Sequence, residues 1–282
     1  MASEVVSTIS TLAGALDRQQ IEADLTAEFG IKSLTFEAVY GVVCTDAATV
    51  QWPSIPAPSP VSAATEANAL SATAITVSSV PGTLASYAQE TIISDLAILG
   101  GTNAKNLAQM INMQNVVSGF DKAVLAAINV GTYGFSAEVA ACDSYSEFLQ
   151  AKYTLRNTGY QGPLRAILTE DQMHLIAVDI AAKYTPEKND AFASEGYWGR
   201  LAGVDIWTVP KTWCPQNVSS KYLGAMWIHP YGLAAAYHVG PNGNMVFTKE
   251  SPYNTIAERV GVAVHMAARP LTTTGGIALA MA

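Results

Sequence analysis

The stretch from residue 44 to residue 83 constrains the fold of this chain more than any other part of its sequence. Four prolines fall within the eight residues Pro53–Pro60. Each proline fixes one backbone angle and removes one amide donor, so this piece is extended and cannot lie in the centre of a sheet. The following stretch Ser71–Val80 is rich in small and β-branched residues, which favour a strand. The segment therefore predicts a long two-stranded arm.

The predicted arm carries almost no charge, and the chain has no basic residue between Lys32 and Lys105. A two-stranded ribbon alone in water is marginally stable at best. We therefore expect the arm to gain its order from a neighbouring copy of the chain. A disordered linker is the alternative, and the β-branched second half of the segment disfavours it.

Composition also points to association. Half of the 282 residues are hydrophobic and only 13% are charged, against the ~25% of typical soluble domains. A solitary monomer with so few charges is poorly protected against association, so much of its surface is expected to be buried against partners. The net charge is −8 and Lys and Arg do not cluster, which excludes tight or sequence-specific nucleic-acid binding.

The cysteines and the hydropathy of the sequence indicate the cellular compartment in which the protein is found. The cysteines are Cys44, Cys142 and Cys214, an odd number at wide spacings, which predicts free thiols in a reducing compartment. The first residues lack the basic start of a secretory signal, and no apolar run reaches the ~18 residues of a membrane span. No membrane partner is expected.

Periodicity predicts several helices. Apolar residues at helical spacing indicate a helix over residues 4–29 and a second, long helix from residue 102 or 103 to about 129. The long helix is predicted to be the spine of the subunit, with its apolar residues on one face. They are Leu107, Met110, Ile111, Val117, Phe120, Val124, Leu125 and Ile128. Ser144 with Glu147, and Thr169 with Gln172, are capping pairs that predict two shorter helices.

Strand patterns alternate with these helices. Extended segments are predicted at 34–43, 84–93, 164–168, 204–209, 260–266 and 277–281. Gly240–Gly243 predicts a turn between two further extended pieces. The fold class is therefore mixed α+β, with an α/β unit in the second half.

No catalytic constellation is present in the sequence. It lacks the phosphate-binding, nucleophile-elbow, dinucleotide and zinc-protease motifs. His174, His229, His238 and His265 have no spacing that implies a metal site. The adjacent acids Glu170 and Asp171 most simply open a helix, where the helix dipole favours negative charge. We therefore expect no catalytic, cofactor-binding or metal-binding residues, and a protein that is not an enzyme.

Taken in order, several segments resemble the major capsid proteins of tailed phages of the Hong Kong 97 type. The first run comprises Glu66–Leu70, Ile75–Val77, Leu84–Asp95 and the spine helix with Asp121 near its end. The second comprises Ala166–Gln172, Gly199–Ile206 and Val209-Pro210. Together these segments cover roughly residues 36 to 270, and their order carries more weight than any one of them.

The resemblance implies a Hong Kong 97-type layout. Residues 1–35 would be an N-terminal arm and residues 36–85 an extended β-hairpin loop lying across a neighbouring subunit. Residues 86–134 and 251–282 would form a peripheral domain with the spine helix, and residues 135–250 an axial α/β domain. The candidate contacts between subunits are Trp52, Pro53, Ile55, Pro56, Glu66, Leu70, Ile75 and Val77.

The resemblance also implies a function. The chain would self-assemble as pentamers and hexamers into an icosahedral shell around double-stranded DNA, in the virion, after assembly in the host cytoplasm. The loop has no lysine, so the isopeptide cross-link of some family members cannot form there. Thirty-five residues are too few for a built-in scaffold, so any scaffolding, portal or decoration protein would be a separate chain.

Three alternatives compete with this interpretation. An encapsulin-type compartment uses the same fold and differs in its contents, which would be protein cargo. A soluble α/β enzyme with an unrecognised site would remain a monomer or dimer. An accessory phage protein such as a decoration protein is disfavoured by the length of the chain and by the long spine helix.

Overall fold

The computed structural model describes residues 20–27, 29, 32–44, 48–54, 78–94, 104–129, 135–183, 197–240, 242–254 and 257–281. These residues form a five-stranded sheet, a six-stranded sheet, a two-stranded ribbon and several helices. The predicted α+β class is confirmed.

The five-stranded sheet is built around one long strand. Its members are β1 (Tyr40–Cys44), β4 (Ala85–Ser94), β10 (Leu233–His238), β11 (Val246–Asn254) and β12 (Ala257–Pro270). Strands β4, β10 and β11 all pair with β12 in antiparallel fashion, and β1 pairs in parallel with β10. The predicted extension over 34–43 is wrong in its first half, because residues 34–39 form turns and the strand begins only at Tyr40.

The ribbon consists of β2 (Thr49–Ser54) and β3 (Ser78–Thr83). They pair in antiparallel fashion from Thr49 opposite Thr83 to Ser54 opposite Ser78. The ribbon is therefore the root of the predicted arm. Residues 55–77, which would form the rest of it, lie outside the described residues.

The spine helix is confirmed as α1 (Ala104–Ala126). It lies along β4 and β12, because Ala108 packs with Ile93 and Val260 and the Asn112 amide donates to the carbonyl of Val260. The predicted apolar face is buried only in its second half. Leu107, Met110 and Ile111 are 59%, 45% and 48% exposed, so the first half of this face is not covered by the described part of the subunit. The first half of α1 rests on the sheet through Ala108, Gln109 and Asn112 instead.

The six-stranded sheet consists of β5 (Ala137–Val139), β6 (Leu164–Thr169), β7 (Tyr197–Leu201), β8 (Val204–Val209), β9 (Leu223–Ile228) and β13 (Gly276–Ala280). Its strand order is β5-β13-β9-β6-β8-β7. A short 3-10 turn, Lys211–Trp213, follows β8. One face of this sheet shares an apolar core with the end of α1, where Trp207 and Trp227 pack with Val124 and Leu125.

Helices α2 (Tyr145–Arg156) and α3 (Glu170–Lys183) cover the other face of the six-stranded sheet. Both predicted caps form. Ser144 and Glu147 make a reciprocal capping box at α2. At α3 the Gln172 amide donates to the Thr169 hydroxyl, and its side-chain carbonyl accepts from the Thr169 amide. These caps satisfy amide groups that a helix start leaves without partners.

The two sheets group the chain differently from the predicted domain boundaries. Strand β13 belongs to the six-stranded sheet, although the prediction placed residues 251–282 in the peripheral domain. Residues 233–238 and 246–250 belong to the five-stranded sheet, although the prediction placed them in the axial domain. The division into domains stays a prediction.

Candidate subunit-contact surfaces

The root of the arm is fixed to its own chain by Trp52. This side chain is only 2% exposed and packs in a small apolar cluster with Ala234, Ala236, Ala267 and Leu271. Gly82 lies against the indole ring, and a β-carbon there would overlap it. The indole Nε1 is buried and has no hydrogen-bond partner among the described residues, and the contacts of the ring in this cluster are apolar.

Trp52 differs from the other candidate contacts, because it is anchored within its own subunit. Within one copy Trp52 is buried by its own sheet, whereas its neighbour Pro53 is exposed on the ribbon. The remaining candidates, Ile55, Pro56, Glu66, Leu70, Ile75 and Val77, lie outside the described residues. Their contact with a neighbouring copy stays a prediction. Sequence reasoning missed the anchor, since its partners are about 180 to 220 residues away in the chain.

Two apolar patches on helices are exposed. The first is the spine patch, formed by Leu107, Met110 and Ile111 on α1. The second is formed by Leu175 and Val178 of α3, on the helices that cover the six-stranded sheet, and Tyr153 of α2 is exposed as well. Exposed apolar groups on adjacent turns of a helix are typical of surfaces that bind a partner.

Residues 20–27 are helical and cover one edge of the five-stranded sheet. The Glu22 carboxylate accepts bonds from the amide and hydroxyl of Thr248, at 2.9 and 3.1 Å. The Thr26 hydroxyl accepts from the amides of Met245 and Val246, both at 3.2 Å. Side chains of this segment therefore satisfy amides of β11 that point away from β12.

A buried carboxylate joins the turn before β1 to the spine helix. Asp121 is fully buried, and one of its oxygens accepts from the hydroxyls of Ser33 and Thr35, both at 2.6 Å, and from the Thr35 amide at 3.2 Å. The second oxygen accepts from the Leu34 amide at 3.0 Å. Burial raises the pKa of Asp121, and the four hydrogen bonds act in the opposite direction. The carboxylate acts as a clamp that fixes residues 33–35 to α1.

A second link joins the six-stranded sheet to residues 37 and 38. The Arg165 guanidinium on β6 donates to the carbonyls of Glu37 and Ala38 at 2.8 and 3.0 Å. His229 lies nearby, and burial together with the positive charge of Arg165 lowers its pKa to about 4. His229 is therefore a neutral side chain near neutral pH.

The described residues show no constellation suited to catalysis. No group of three or more His, Cys, Asp or Glu side chains in the described part of the chain could hold a metal ion. Burial raises the pKa of Cys142 and of Cys214 to about 12, so both are poor nucleophiles. Among the residues described, no helix is long and apolar enough to cross a membrane.

Neither a protein-family model nor a curated protein matches the sequence of the chain. Solved structures match its fold. The capsid of Cyanophage P-SCSP1u is 12% identical, with a TM-score of 0.58, over 89% of this chain and 87% of the other. The virus-like particle from Pyrococcus furiosus is 11% identical, with a TM-score of 0.61, over 92% and 95%.

The capsid of an empty GTA particle is 12% identical, with a TM-score of 0.61, over 89% of this chain and 90% of that one. At this identity the likeness concerns the fold, and it extends over nearly the whole of each chain. The fold of this protein is therefore the Hong Kong 97-type fold of phage capsid subunits.

Proposed function

We propose that this chain is a major capsid protein that self-assembles into an icosahedral shell around the double-stranded DNA genome of a phage. The observation that carries the proposal is the fold, which matches shell subunits over about nine-tenths of the chain. The protein would act as a structural subunit of the virion and not as an enzyme.

The surfaces of the subunit support this role. The spine patch lies on the helix beside the five-stranded sheet, and the patch on α3 lies on a helix that covers the six-stranded sheet, so each subunit can contact neighbours on more than one side. Closed shells need several distinct contacts per subunit, and symmetric closure leaves none of them unpaired. The low charge of the chain fits surfaces that are buried in an assembly.

The arm supplies a further contact in this proposal. Trp52 fixes its root to its own subunit, while Pro53, Ile55, Pro56, Glu66, Leu70, Ile75 and Val77 reach the neighbour. Pentamers and hexamers would form around the axial domain, residues 135–250. Any scaffolding, portal or decoration protein would be a separate chain, and assembly would take place in the host cytoplasm.

The contents of the shell test the proposal. Particles isolated from cells that make the protein naturally are expected to hold double-stranded DNA that resists nuclease until the shell is opened. Particles filled with a single protein cargo would favour an encapsulin-type compartment. A soluble monomer or dimer that never forms particles would favour the α/β enzyme and would overturn the proposal.

A further inference from the structure

Two histidines lie opposite each other on neighbouring strands of the five-stranded sheet. Tyr237 of β10 is opposite Met266 of β12 in an antiparallel pair, so the next residues of the two strands, His238 and His265, are opposite each other as well. Directly opposite side chains share one face of a sheet, with β-carbons about 5 Å apart. The centroids of the two imidazole rings are 6.2 Å apart. Strand pairing therefore brings together two residues that no spacing in the sequence connects.

The histidine pair lies on the face of the sheet that points away from the spine helix. Val264 and Met266 belong to the apolar core shared with α1, and Tyr237 packs against that core. Because successive residues of a strand point to opposite faces, His238 and His265 project from the other face. Both are half-buried there, so a small solute can reach the rings.

Phe247 of β11 holds the two rings in place. It is opposite Ala263, two positions from His265 and therefore on the same face. Its ring stacks on His238 at 5.6 Å and lies 5.4 Å from His265. Phe247 thus flanks the space between the imidazoles and does not fill it. No described residue is hydrogen-bonded to either imidazole, so the ring nitrogens are left for solvent or for a ligand.

The imidazoles are suited to bind a metal ion. Burial lowers the pKa of His265, and the positive charge that His238 can carry lowers it further. A lowered pKa keeps the ring neutral near neutral pH, and the neutral imidazole is the form that coordinates metals. An ion between the rings would use one nitrogen from each.

The separation of the rings fits a shared ion. An ion bonded to an imidazole nitrogen at about 2.0–2.1 Å lies about 3.2 Å from the ring centroid, so two rings that share an ion have centroids at most about 6.4 Å apart. The observed 6.2 Å is within this limit. Rotation about the side-chain bonds can bring the rings the further ~1 Å closer that tetrahedral coordination requires.

We propose that His238 and His265 bind one divalent transition-metal ion of the zinc, nickel or copper class. Imidazole nitrogen is a preferred ligand of these ions, whereas Mg²⁺ and Ca²⁺ prefer oxygen. Two protein ligands leave coordination positions open, and water fills them. The ion braces β10 against β12, one row of the same face away from Ala236 and Ala267, on which Trp52 packs. The site lies within one copy and does not depend on the proposed shell.

Copper binding to the purified chain tests the inference. After metal is removed with a chelator, Cu²⁺ is titrated and followed by electron paramagnetic resonance, which counts the nitrogen ligands. We expect one tight site per chain, coupled to two imidazole nitrogens. His238→Asn and His265→Asn are each expected to weaken binding at least about tenfold, because each removes one of the two protein ligands. His174→Asn, at an exposed position of α3, is the matched control and is expected to leave the site unchanged.

A cysteine is replaced before these measurements. Cys44 of β1 is opposite His238 in the strand register, and a thiolate would itself bind copper. All variants are therefore compared in a Cys44→Ser background, where the two imidazoles are expected to hold the ion by themselves. Absence of a tight site in Cys44→Ser, its retention after both histidines are replaced, or coupling to a single nitrogen would each overturn the inference.

Thermal unfolding gives a second readout that does not depend on copper. An ion that binds only the folded chain raises the unfolding midpoint. Zn²⁺ at about a hundredfold excess over its dissociation constant is expected to raise it by roughly 5 °C, and Mg²⁺ is expected to leave it unchanged. The double variant His238→Asn with His265→Asn, its fold checked by circular dichroism, is expected to show no zinc shift. An equal shift in both chains, or no shift in either, would contradict the site.

Discussion

The indole ring of Trp52 occupies the space that a side chain at position 82 would need. These residues lie on the two paired strands of the ribbon, Trp52 opposite Val80 and Gly82 opposite Val50. The pair explains how a ribbon that is marginal by itself holds its position on the sheet. It shows that the arm is rooted in its own subunit.

The Trp52 anchor is open to direct test. Trp52→Ala is expected to cost about 3–5 kcal/mol of unfolding free energy, because it empties a buried site. Gly82→Ala is expected to cost about 1–3 kcal/mol, because the new methyl group overlaps the ring. Denaturant unfolding of the unassembled subunit measures both, and a change below about 0.5 kcal/mol in both variants would contradict the anchor.

Gly119 is a second glycine, against which the effect of Gly82→Ala can be compared. It lies within α1, and a β-carbon there would be in ordinary contact with Tyr87, at 3.6 Å. Gly119→Ala is expected to stabilise the subunit by roughly 0.5–1 kcal/mol, because alanine loses less backbone entropy in a helix. The same unfolding experiment measures it, and destabilisation would show that α1 packs more tightly on β4 than the structure indicates.

Variants at the Asp121 clamp are expected to lose different amounts of unfolding free energy. Asp121→Ala is expected to cost about 3 kcal/mol, because it leaves four donors of residues 33–35 buried without an acceptor. Ser33→Ala removes one bond to the carboxylate and the bond that the Ser33 hydroxyl accepts from the Phe36 amide, and it is expected to cost about 1–2 kcal/mol. Hydrogen exchange at the amides of Leu34 and Thr35 reports the clamp locally. Amides that stay protected in Asp121→Ala would mean that another group holds this turn.

The lowered pKa of His229 leads us to expect that the stability of the subunit depends on pH. Its pKa is about 4 in the folded chain and 6.5 ordinarily, so between these values the unfolded chain binds a proton that the folded chain does not. The free energy of unfolding is therefore expected to fall as the pH drops from 6.5 toward 4. The loss should be on the order of 1 kcal/mol, since the side chain is only partly shielded from solvent.

Comparison with His229→Gln isolates this effect. The variant is expected to lose less stability than the unmodified chain over the same pH range, because glutamine does not titrate. His174→Gln, at an exposed position of α3, is the control and is expected to follow the unmodified chain. Equal pH profiles for all three proteins would exclude His229 as the cause.

Local patterns in the sequence predicted the elements well. The helix caps at Ser144 and Thr169, the spine helix and most strands follow from periodicity and capping residues within a few positions of one another. Periodicity also placed Leu107 and Ile111 on an apolar face of the spine helix. Periodicity could not show that the first half of this face is exposed, because the burial of a side chain depends on segments that are distant in the sequence.

Long-range contacts explain what the sequence did not reveal. Trp52 was expected to contact a neighbour, whereas its own subunit buries it through residues far along the chain. The bonds of Asp121 span 86 to 88 positions, and no local signal marks Ser33 and Thr35 as its partners.

Electron microscopy of the purified chain at high concentration shows whether the protein forms a shell. We expect closed icosahedral particles, in which each copy extends density from the ribbon root at Trp52 onto an adjacent copy. A monodisperse monomer or dimer without particles, or shells in which residues 55–77 touch only their own subunit, would contradict this expectation.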